Sequence, residues 1–348
     1  MRRIVESRVE KREAGTALLD WLQARFRYCD RGTWAAYIDE GRLKVGGERR
    51  DAAFVLSASD TVAFSPPGNL EPEVDTGYRI LFRDEDLLVV DKPSSLPCHP
   101  GGRFFERTLW SLLKSGYGPT HIATRLDRET SGLVLIGRNP AAARRIQEAQ
   151  EAGRIRKRYL VLVHGKVGWE EWTARGILVR DGNSVVRKKR AFIEGGEAGE
   201  AGPGEYCETA FAVAARAERF TLLEATLATG RTHQIRATLR SSGWPVVGDK
   251  LYGLDEGLFL RFAAGSLSAE DTELLLLGGQ ALHCASLSFD DAEGTPVTVS
   301  APPPWSGELG GFGFAALPDD YYFSIESRST SNTRMELAGM TSPAPWSP

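Results

Sequence analysis

The stretch Arg125-Leu126-Asp127-Arg128-Glu129-Thr130-Ser131-Gly132-Leu133 constrains this chain more than any other. It sets an aspartate between two arginines and runs straight into Leu133-Val134-Leu135-Ile136. A short apolar run of this kind reads as a buried strand, so Asp127 is expected at a strand mouth. Neighbouring cations there hold its carboxylate ionised. Such a group serves as a nucleophile or as a base. Taken alone, the same residues also read as a surface salt-bridge cluster. The rest of the chain must decide between the two.

The 348 residues suggest two or three domains, or one large domain with appendages. No apolar run approaches the roughly 18 residues that a membrane helix needs, so no membrane association is expected. The start, Met1-Arg2-Arg3-Ile4-Val5-Glu6, has no apolar stretch behind its charges and does not read as a signal peptide. Cys29, Cys98, Cys207 and Cys284 lie far apart and form no Cys-x-x-Cys pair. Reduced, buried thiols of a cytoplasmic protein are expected, with no disulfide frame and no zinc site.

The formal net charge of -3 argues against a polyanionic partner, but charge is unevenly spread. Residues 121–160 hold nine Arg/Lys against four Asp/Glu, and Arg187-Lys188-Lys189-Arg190 is a second basic run. Compensating acid lies in Glu194, Glu197, Glu200, Glu205 and Glu208. Local basic patches bind phosphates whatever the total charge, although each run alone also reads as a solvated surface.

Residues 1–66 read as a small separate module. Thr16 is expected to cap a helix through Phe26 that carries Leu18, Leu19 and Leu22. Thr33 is expected to cap a second helix with Trp34, Tyr37 and Ile38, ended by Gly41 in a left-handed conformation. Leu43-Lys44-Val45 then enters a tight turn at Gly46-Gly47, with Arg42, Lys44, Arg49 and Arg50 around it. Residues 67–77 form a linker, 78–317 a main domain, and 318–348 a Ser/Thr/Pro-rich tail expected to be partly disordered. Within the main domain, Leu87–Val90 and Arg158–Val163 read as buried strands. Asn139-Pro140 starts a helix reaching about Ala152, with Gly153 as its stop. The glycine-rich stretch 195–204 reads as a hairpin tip. Strands and helices do not alternate regularly, which points to an α+β fold with a mixed sheet.

Four further groups of residues stand in a telling order. Asp91-Lys92-Pro93 is followed by Leu96-Pro97 and His99-Pro100-Gly101-Gly102. Arg125-Leu126-Asp127 comes next, then Lys157-Arg158-Tyr159. Thr229-Gly230-Arg231-Thr232-His233-Gln234-Ile235-Arg236 precedes Gly248-Asp249-Lys250-Leu251-Tyr252-Gly253. Gln280-Ala281-Leu282-His283 and Ser286-Leu287-Ser288-Phe289 close the series. Over residues 78–305 this order resembles the RluA-type family of RNA pseudouridine synthases. Residues 15–64 resemble, more loosely, the αL RNA-binding module of a small-subunit ribosomal protein.

The resemblance implies a pseudouridine synthase fold with a central mixed, largely antiparallel sheet. It implies an isomerase that breaks the N1–C1′ bond of uridine, turns the base, and joins C5 to C1′. That reaction calls for no metal, redox or nucleotide cofactor, and the chain carries neither a Gly-x-Gly-x-x-Gly fingerprint nor a P-loop. By the same resemblance, Asp127 attacks C1′ or takes a proton from C2′, and Arg231 is the cation paired with it. Tyr159 stacks under the extruded uracil and assists at C5, although on residues alone it also reads as a core aromatic. Arg125 enters the vacated base stack, since a flipped base leaves a gap that a guanidinium plane can fill. Arg128 is expected on phosphate or on a neighbouring carboxylate. His233 and Gln234 are expected beside the substrate or in buried structural hydrogen bonds, and Arg236 as a strand support or an RNA contact. Arg42 and Lys44 are the expected phosphate contacts of the N-terminal module.

Thr124 stands where the family commonly has His before Arg-Leu-Asp, which points to altered loop packing or substrate preference. The expected protein is a monomeric, cytoplasmic RNA-modifying enzyme that favours large-subunit ribosomal RNA, with transfer RNA second. The rival readings are a non-catalytic RNA-binding or ribosome-assembly protein on the same scaffold, and a nucleotide-binding metabolic enzyme, which lacks its phosphate loop.

Overall fold

The computed structural model describes residues 4–26, 29–67, 71–196, 204–317 and 322–327. The chain divides into two compact units, Met1–Glu73 with Pro100–Arg107, and Val74–His99 with Thr108–Pro348. The return of residues 100–107 to the first unit has no signal in the sequence. There the Glu71 carboxylate accepts the backbone N–H groups of Phe105, Glu106 and Arg107 at 2.6–3.0 Å.

In the first unit, strands β1 (Val5–Arg8), β2 (Leu43–Val45) and β3 (Thr61–Phe64) pair antiparallel in the order β1-β3-β2. Helices α1 (Leu18–Arg25) and α2 (Arg31–Asp39) add Leu18, Trp21, Leu22, Trp34 and Ile38 to one small core. The expected caps are corrected. Ala17 precedes α1 without any side-chain cap, so Thr16 does not cap it. Helix α2 begins two residues before Thr33, and Asp30 caps it by accepting the Thr33 N–H at 2.7 Å. Gly41 adopts the expected positive φ of 67°. The Gly46-Gly47 turn is closed by reciprocal backbone bonds between Val45 and Glu48 at 2.8 and 3.1 Å.

The second unit carries β4 (Arg79–Arg83), β5 (Leu87–Lys92), β6 (His121–Ile122), β7 (Ser131–Gly137), β8 (Arg156–His164) and β9 (Glu171–Arg180). They are followed by β10 (Arg190–Glu194), β11 (Glu205–Arg216), β12 (Phe220–Leu227), β13 (Leu282–Asp290), β14 (Pro296–Ser300) and β15 (Ser324–Ser327). Its helices are α3 (Leu109–Tyr117), α4 (Pro140–Glu151), α5 (Gln234–Ser241), α6 (Gly257–Ala264) and α7 (Ala269–Leu275). One sheet runs β10-β9-β11-β12-β8-β13-β7-β5-β4, with β14 and β15 continuing from β13 and β6 pairing with β7. Among the described residues only the β7–β13 pairing is parallel, so the sheet is mixed and largely antiparallel, an α+β arrangement. Residues 324–327 of the expected tail thus add a strand. The remainder of that tail, apart from 322 and 323, and residues 197–203 of the glycine-rich stretch lie outside the described residues.

The unbroken apolar runs follow from burial on both faces. Leu87, Val89, Leu133 and Leu135 point into one core with Ala142 and Ile146 of α4. Leu88, Val90, Val134 and Ile136 point into another with Leu109 and Leu113 of α3. Helix α4 starts as its sequence dictates, with Asn139 accepting the Ala142 N–H at 2.8 Å and Pro140 in the first turn.

Strand register then places chemistry at one level of the sheet. Lys92 on β5 pairs with Gly132 on β7, Gly132 with Cys284 on β13, and Cys284 with Tyr159 on β8. Gly132 has a φ of 107°, and a Cβ there would lie 2.4 Å from the Cys284 carbonyl oxygen. Close approach of β7 and β13 therefore requires glycine at this position. Gly132→Ala should destabilise the protein by about 2–4 kcal/mol, because backbone strain and a clash with main chain act together. Urea unfolding at pH 7 measures this, and a loss below about 0.5 kcal/mol would contradict the close approach.

Candidate active site

The loop 124–130 enters β7 under several constraints. Thr124 is buried, and its hydroxyl accepts the Leu135 N–H at 3.1 Å, so this departure from the family pattern serves loop packing. Cys98 Sγ lies 3.4 Å from both the N–H and the carbonyl of Leu126. The fully buried Lys92 ammonium donates to the carbonyls of Pro93, Leu96 and Arg128 at 2.9–3.1 Å. Burial first, and then the neighbouring Cys98, Asp127 and Asp91, set its pKa, with a net fall to about 8. Ser94 donates to the Glu129 carbonyl at 2.9 Å, and Gln280 donates to the Thr130 hydroxyl. Backbone on both sides of Asp127 is thereby fixed.

Facing the loop, α5 brings a single buried arginine. Arg236 Nη1 donates to Asp127 Oδ2 at 2.6 Å. Its Nε and Nη2 form a fork on Asp249, at 2.6 and 3.0 Å. Asp249 Oδ1 also accepts the N–H groups of Leu251 and Tyr252 at 2.9 Å each. The side chains of Asp249 and Arg236 are 0 % and 9 % exposed, whereas that of Asp127 is 28 % exposed. Asp127 is therefore the open end of a buried charge ladder. Burial pushes its carboxyl up, but Arg236 and then His233 overcome this and leave its pKa below the ordinary value. It is ionised at neutral pH.

His233 precedes α5 with a left-handed φ of 61°, a conformation that non-glycine residues rarely adopt. Its Nδ1 lies 2.9 Å from the Tyr252 hydroxyl, and its Nε2 lies 3.9 Å from Asp127 Oδ1. The Tyr252 oxygen accepts the Arg190 N–H at 2.9 Å, so its own proton goes to His233 Nδ1 and Nε2–H faces Asp127. Burial, then Arg236, lowers the His233 pKa to about 4 and keeps the ring neutral. Tyr159 is buried on β8; burial, then Cys284, raises its phenol pKa well above the ordinary value. The charge of Asp127 acts in the same direction, which ties the phenol electrostatically to this carboxylate.

The structure corrects one pairing. Arg231 does not meet Asp127; it is exposed, and its Nε donates to the Tyr206 carbonyl at 3.1 Å. The physical reason is the start of α5 at Gln234, which leaves Arg231 in the preceding loop and turns Arg236 inward. Arg236 lies buried on α5, with its guanidinium engaged by Asp127 and Asp249. Gln234 is structural: its amide donates to the Glu208 carbonyl and Thr209, and its oxygen accepts from Thr229 and the Arg231 N–H. Arg125 is exposed, two residues before Asp127 in the same loop. Arg128 pairs with Glu129 at 3.1 Å and lies 5.0 Å from the Phe262 ring centre. In the N-terminal unit, Arg42 is engaged by Glu40, whereas Lys44 is exposed in the middle of β2. Asp249 and Tyr252 belong to the Gly248–Gly253 segment, whose order in the sequence does not by itself assign them a role. The signal was the spacing of Asp249 and Tyr252 after a helix that carries an inward arginine.

A family model described as RNA pseudouridylate synthase matches residues 86–241. An RNA pseudouridine synthase of Synechocystis sp. is 32% identical over 241 residues, covering 68% of this chain and 79% of that protein. Another, from Chlorobaculum parvum, is 30% identical over 292 residues, 79% of this chain and 86% of that one. The mitochondrial tRNA pseudouridine(32) synthase of Saccharomyces cerevisiae is 26% identical over 240 residues, 69% of this chain and 51% of that one. The solved structure of human RNA pseudouridylate synthase domain containing 1 shares the fold, with a TM-score of 0.53 at 22% identity. It covers 80% of this chain and all of that one. The chain belongs to the RluA-type RNA pseudouridine synthase family and is an isomerase.

Arg236→Gln should lower kcat/KM at least about 100-fold and cost about 3–5 kcal/mol of stability, since it strands two carboxylates. Arg231→Ala should stay within about three-fold of wild type, because its side chain holds only an exposed carbonyl. Initial rates of pseudouridine formation rank the two, and the reverse ranking would contradict the ion-pair assignment.

Proposed function

We propose that this enzyme isomerises uridines in large-subunit ribosomal RNA, with Asp127 acting at the ribose. The observation that carries the chemical part is a partly exposed, ionised carboxylate whose buried partner is itself locked by a second carboxylate. Asp127 either attacks C1′ or removes the C2′ proton, and both routes require the charged form that Arg236 maintains. Tyr159 supplies a buried ring for the extruded base. Its raised pKa keeps the phenol protonated before reaction, so any part in C5 deprotonation requires that proton to leave first.

A uridine in folded RNA must leave the stack, at a cost of a few kcal/mol. Arg125, exposed and two residues before Asp127 in the same loop, is suited to fill the vacated space. The N-terminal unit supports a large structured substrate: its two helices and tight turn resemble an RNA-binding module, and Lys44 is presented to solvent. The self-paired Arg42 adds less to that surface than its charge suggests. A transfer RNA substrate is the second reading, favoured by the name of the yeast relative. A binding-only role accounts poorly for the retention of Asp127, Tyr159 and Arg236 together.

Pseudouridine mapping of ribosomal and transfer RNA from cells with and without this protein tests the substrate. The expected outcome is loss of one or a few sites in large-subunit RNA, restored by the wild-type chain. Restoration should be weaker with the Arg42→Gln, Lys44→Gln pair, since about one phosphate contact is lost. Sites lost only from transfer RNA would replace the first reading by the second.

A further inference from the structure

The basic run Arg187–Arg190 takes no part in the chemistry derived above, yet the fold docks it at the active site. Its position is fixed by partners on neighbouring elements. Lys189 donates to Glu256 at 2.6 Å, and Ser184 donates to the same carboxylate oxygen at 2.9 Å. The Arg190 N–H donates to the Tyr252 hydroxyl at 2.9 Å, and Tyr252 in turn holds His233. The Arg190 guanidinium pairs with Glu205 at 3.2 Å. Thus Lys189 and Arg190 are committed to carboxylates, and the backbone of the run is tied to the ladder beside Asp127.

Lys188 differs from both. It is exposed, and among the described residues no carboxylate lies within ion-pair distance of it. Its Nζ rests 4.5 Å from the Phe259 ring centre on α6. One turn further along the same helix, Phe262 carries Arg128 at 5.0 Å and Lys250 at 4.7 Å. Helix α6 therefore gathers the basic run and the catalytic loop along one side. The charges that bear on Lys188 are those of Arg236, Arg128, Asp127 and Glu129, the groups of the catalytic loop and its ladder. A cation held there without its own counter-ion is favoured by an incoming anion.

We propose that Lys188 binds a backbone phosphate of the target nucleotide and so adds affinity for a uridine entering the site beside Asp127. This rests on the reading of Asp127 as the reacting carboxylate. A nucleotide extruded into the site brings its flanking phosphates with it, and the enzyme holds them with a point charge on a rigid aromatic support. The contact reads the backbone and carries no sequence information. Lys188 thus adds affinity for any flipped uridine, while the choice of uridine lies elsewhere.

The test uses the full chain and transcribed, unmodified large-subunit ribosomal and transfer RNA as probes. Wild type is compared with Lys188→Gln, Lys188→Met and Lys188→Arg for KM, kcat and their salt dependence. Both neutral variants should raise KM by about ten-fold with kcat within about two-fold, as loss of one charge-assisted bond implies. The slope of log KM against log salt should fall by roughly 0.7 to 0.9. Lys188→Arg should recover most of the affinity. Methionine keeps the apolar stem against Phe259, so agreement of the two neutral variants assigns the effect to charge. Unchanged KM and slope in an active enzyme would overturn the proposal, as would a fall in kcat alone. If wild type forms no pseudouridine in either RNA, the functional reading fails instead.

Discussion

Everything around the site depends on how one buried guanidinium is divided between two carboxylates. Desolvating Arg236 costs several kcal/mol, and one exposed partner does not compensate that. Asp249 makes the arrangement stable: it is fully buried, takes both prongs of the fork, and has its own oxygens further satisfied by two backbone N–H groups. Arg236 then has one arm left, and that arm fixes Asp127. One positive charge between two negative ones leaves a surplus negative charge. It resides on Asp127, the member that solvent and substrate reach. The protein thus offers an ionised carboxylate in a fixed orientation, which is the preorganisation that charge-developing reactions exploit.

The sheet supplies the other half of that fixity. Strands β5 and β7 are buried on both faces, so their register is strongly specified and their mouths do not drift. Lys92, Gly132, Cys284 and Tyr159 come from four adjacent strands at one level, and the loop that carries Asp127 leads into this row. His283 reinforces it from beneath. Its Nε2 lies 3.0 Å from the Ala301 carbonyl and therefore carries the proton, leaving Nδ1 to accept from Ser131 at 2.9 Å. Burial lowers its pKa to about 4, so this bridge stays neutral and intact across the physiological range.

Much of this was legible from residues. The apolar runs at 87–90 and 133–136 betrayed strands with two buried faces, and Asn139-Pro140 with Gly153 bounded α4 nearly to the residue. Asp127 stood out only through the order of the other motifs, because a carboxylate between arginines at the head of such a run reads equally as a surface salt-bridge cluster. The partner did not stand out. Arg231 and Arg236 lie in one motif, and the choice between them turns on where α5 begins. A histidine in a left-handed conformation starts that helix, and no propensity signals this. Asp30 as the cap of α2 was missed for a related reason, since Thr33, three residues later, also fits a cap in sequence. The return of residues 100–107 to the N-terminal unit depends on Glu71 meeting three backbone donors, a tertiary effect without periodicity.

The central claim is that the Asp127 charge, held by Arg236, performs the isomerisation. Single-turnover assay of Asp127→Asn with saturating enzyme on natural RNA tests it most directly, because the amide keeps size and shape and removes only the charge. The account predicts RNA affinity within a few-fold of wild type and no pseudouridine formed. Turnover above a few per cent of wild type, with deamidation back to aspartate excluded by mass spectrometry, would contradict it.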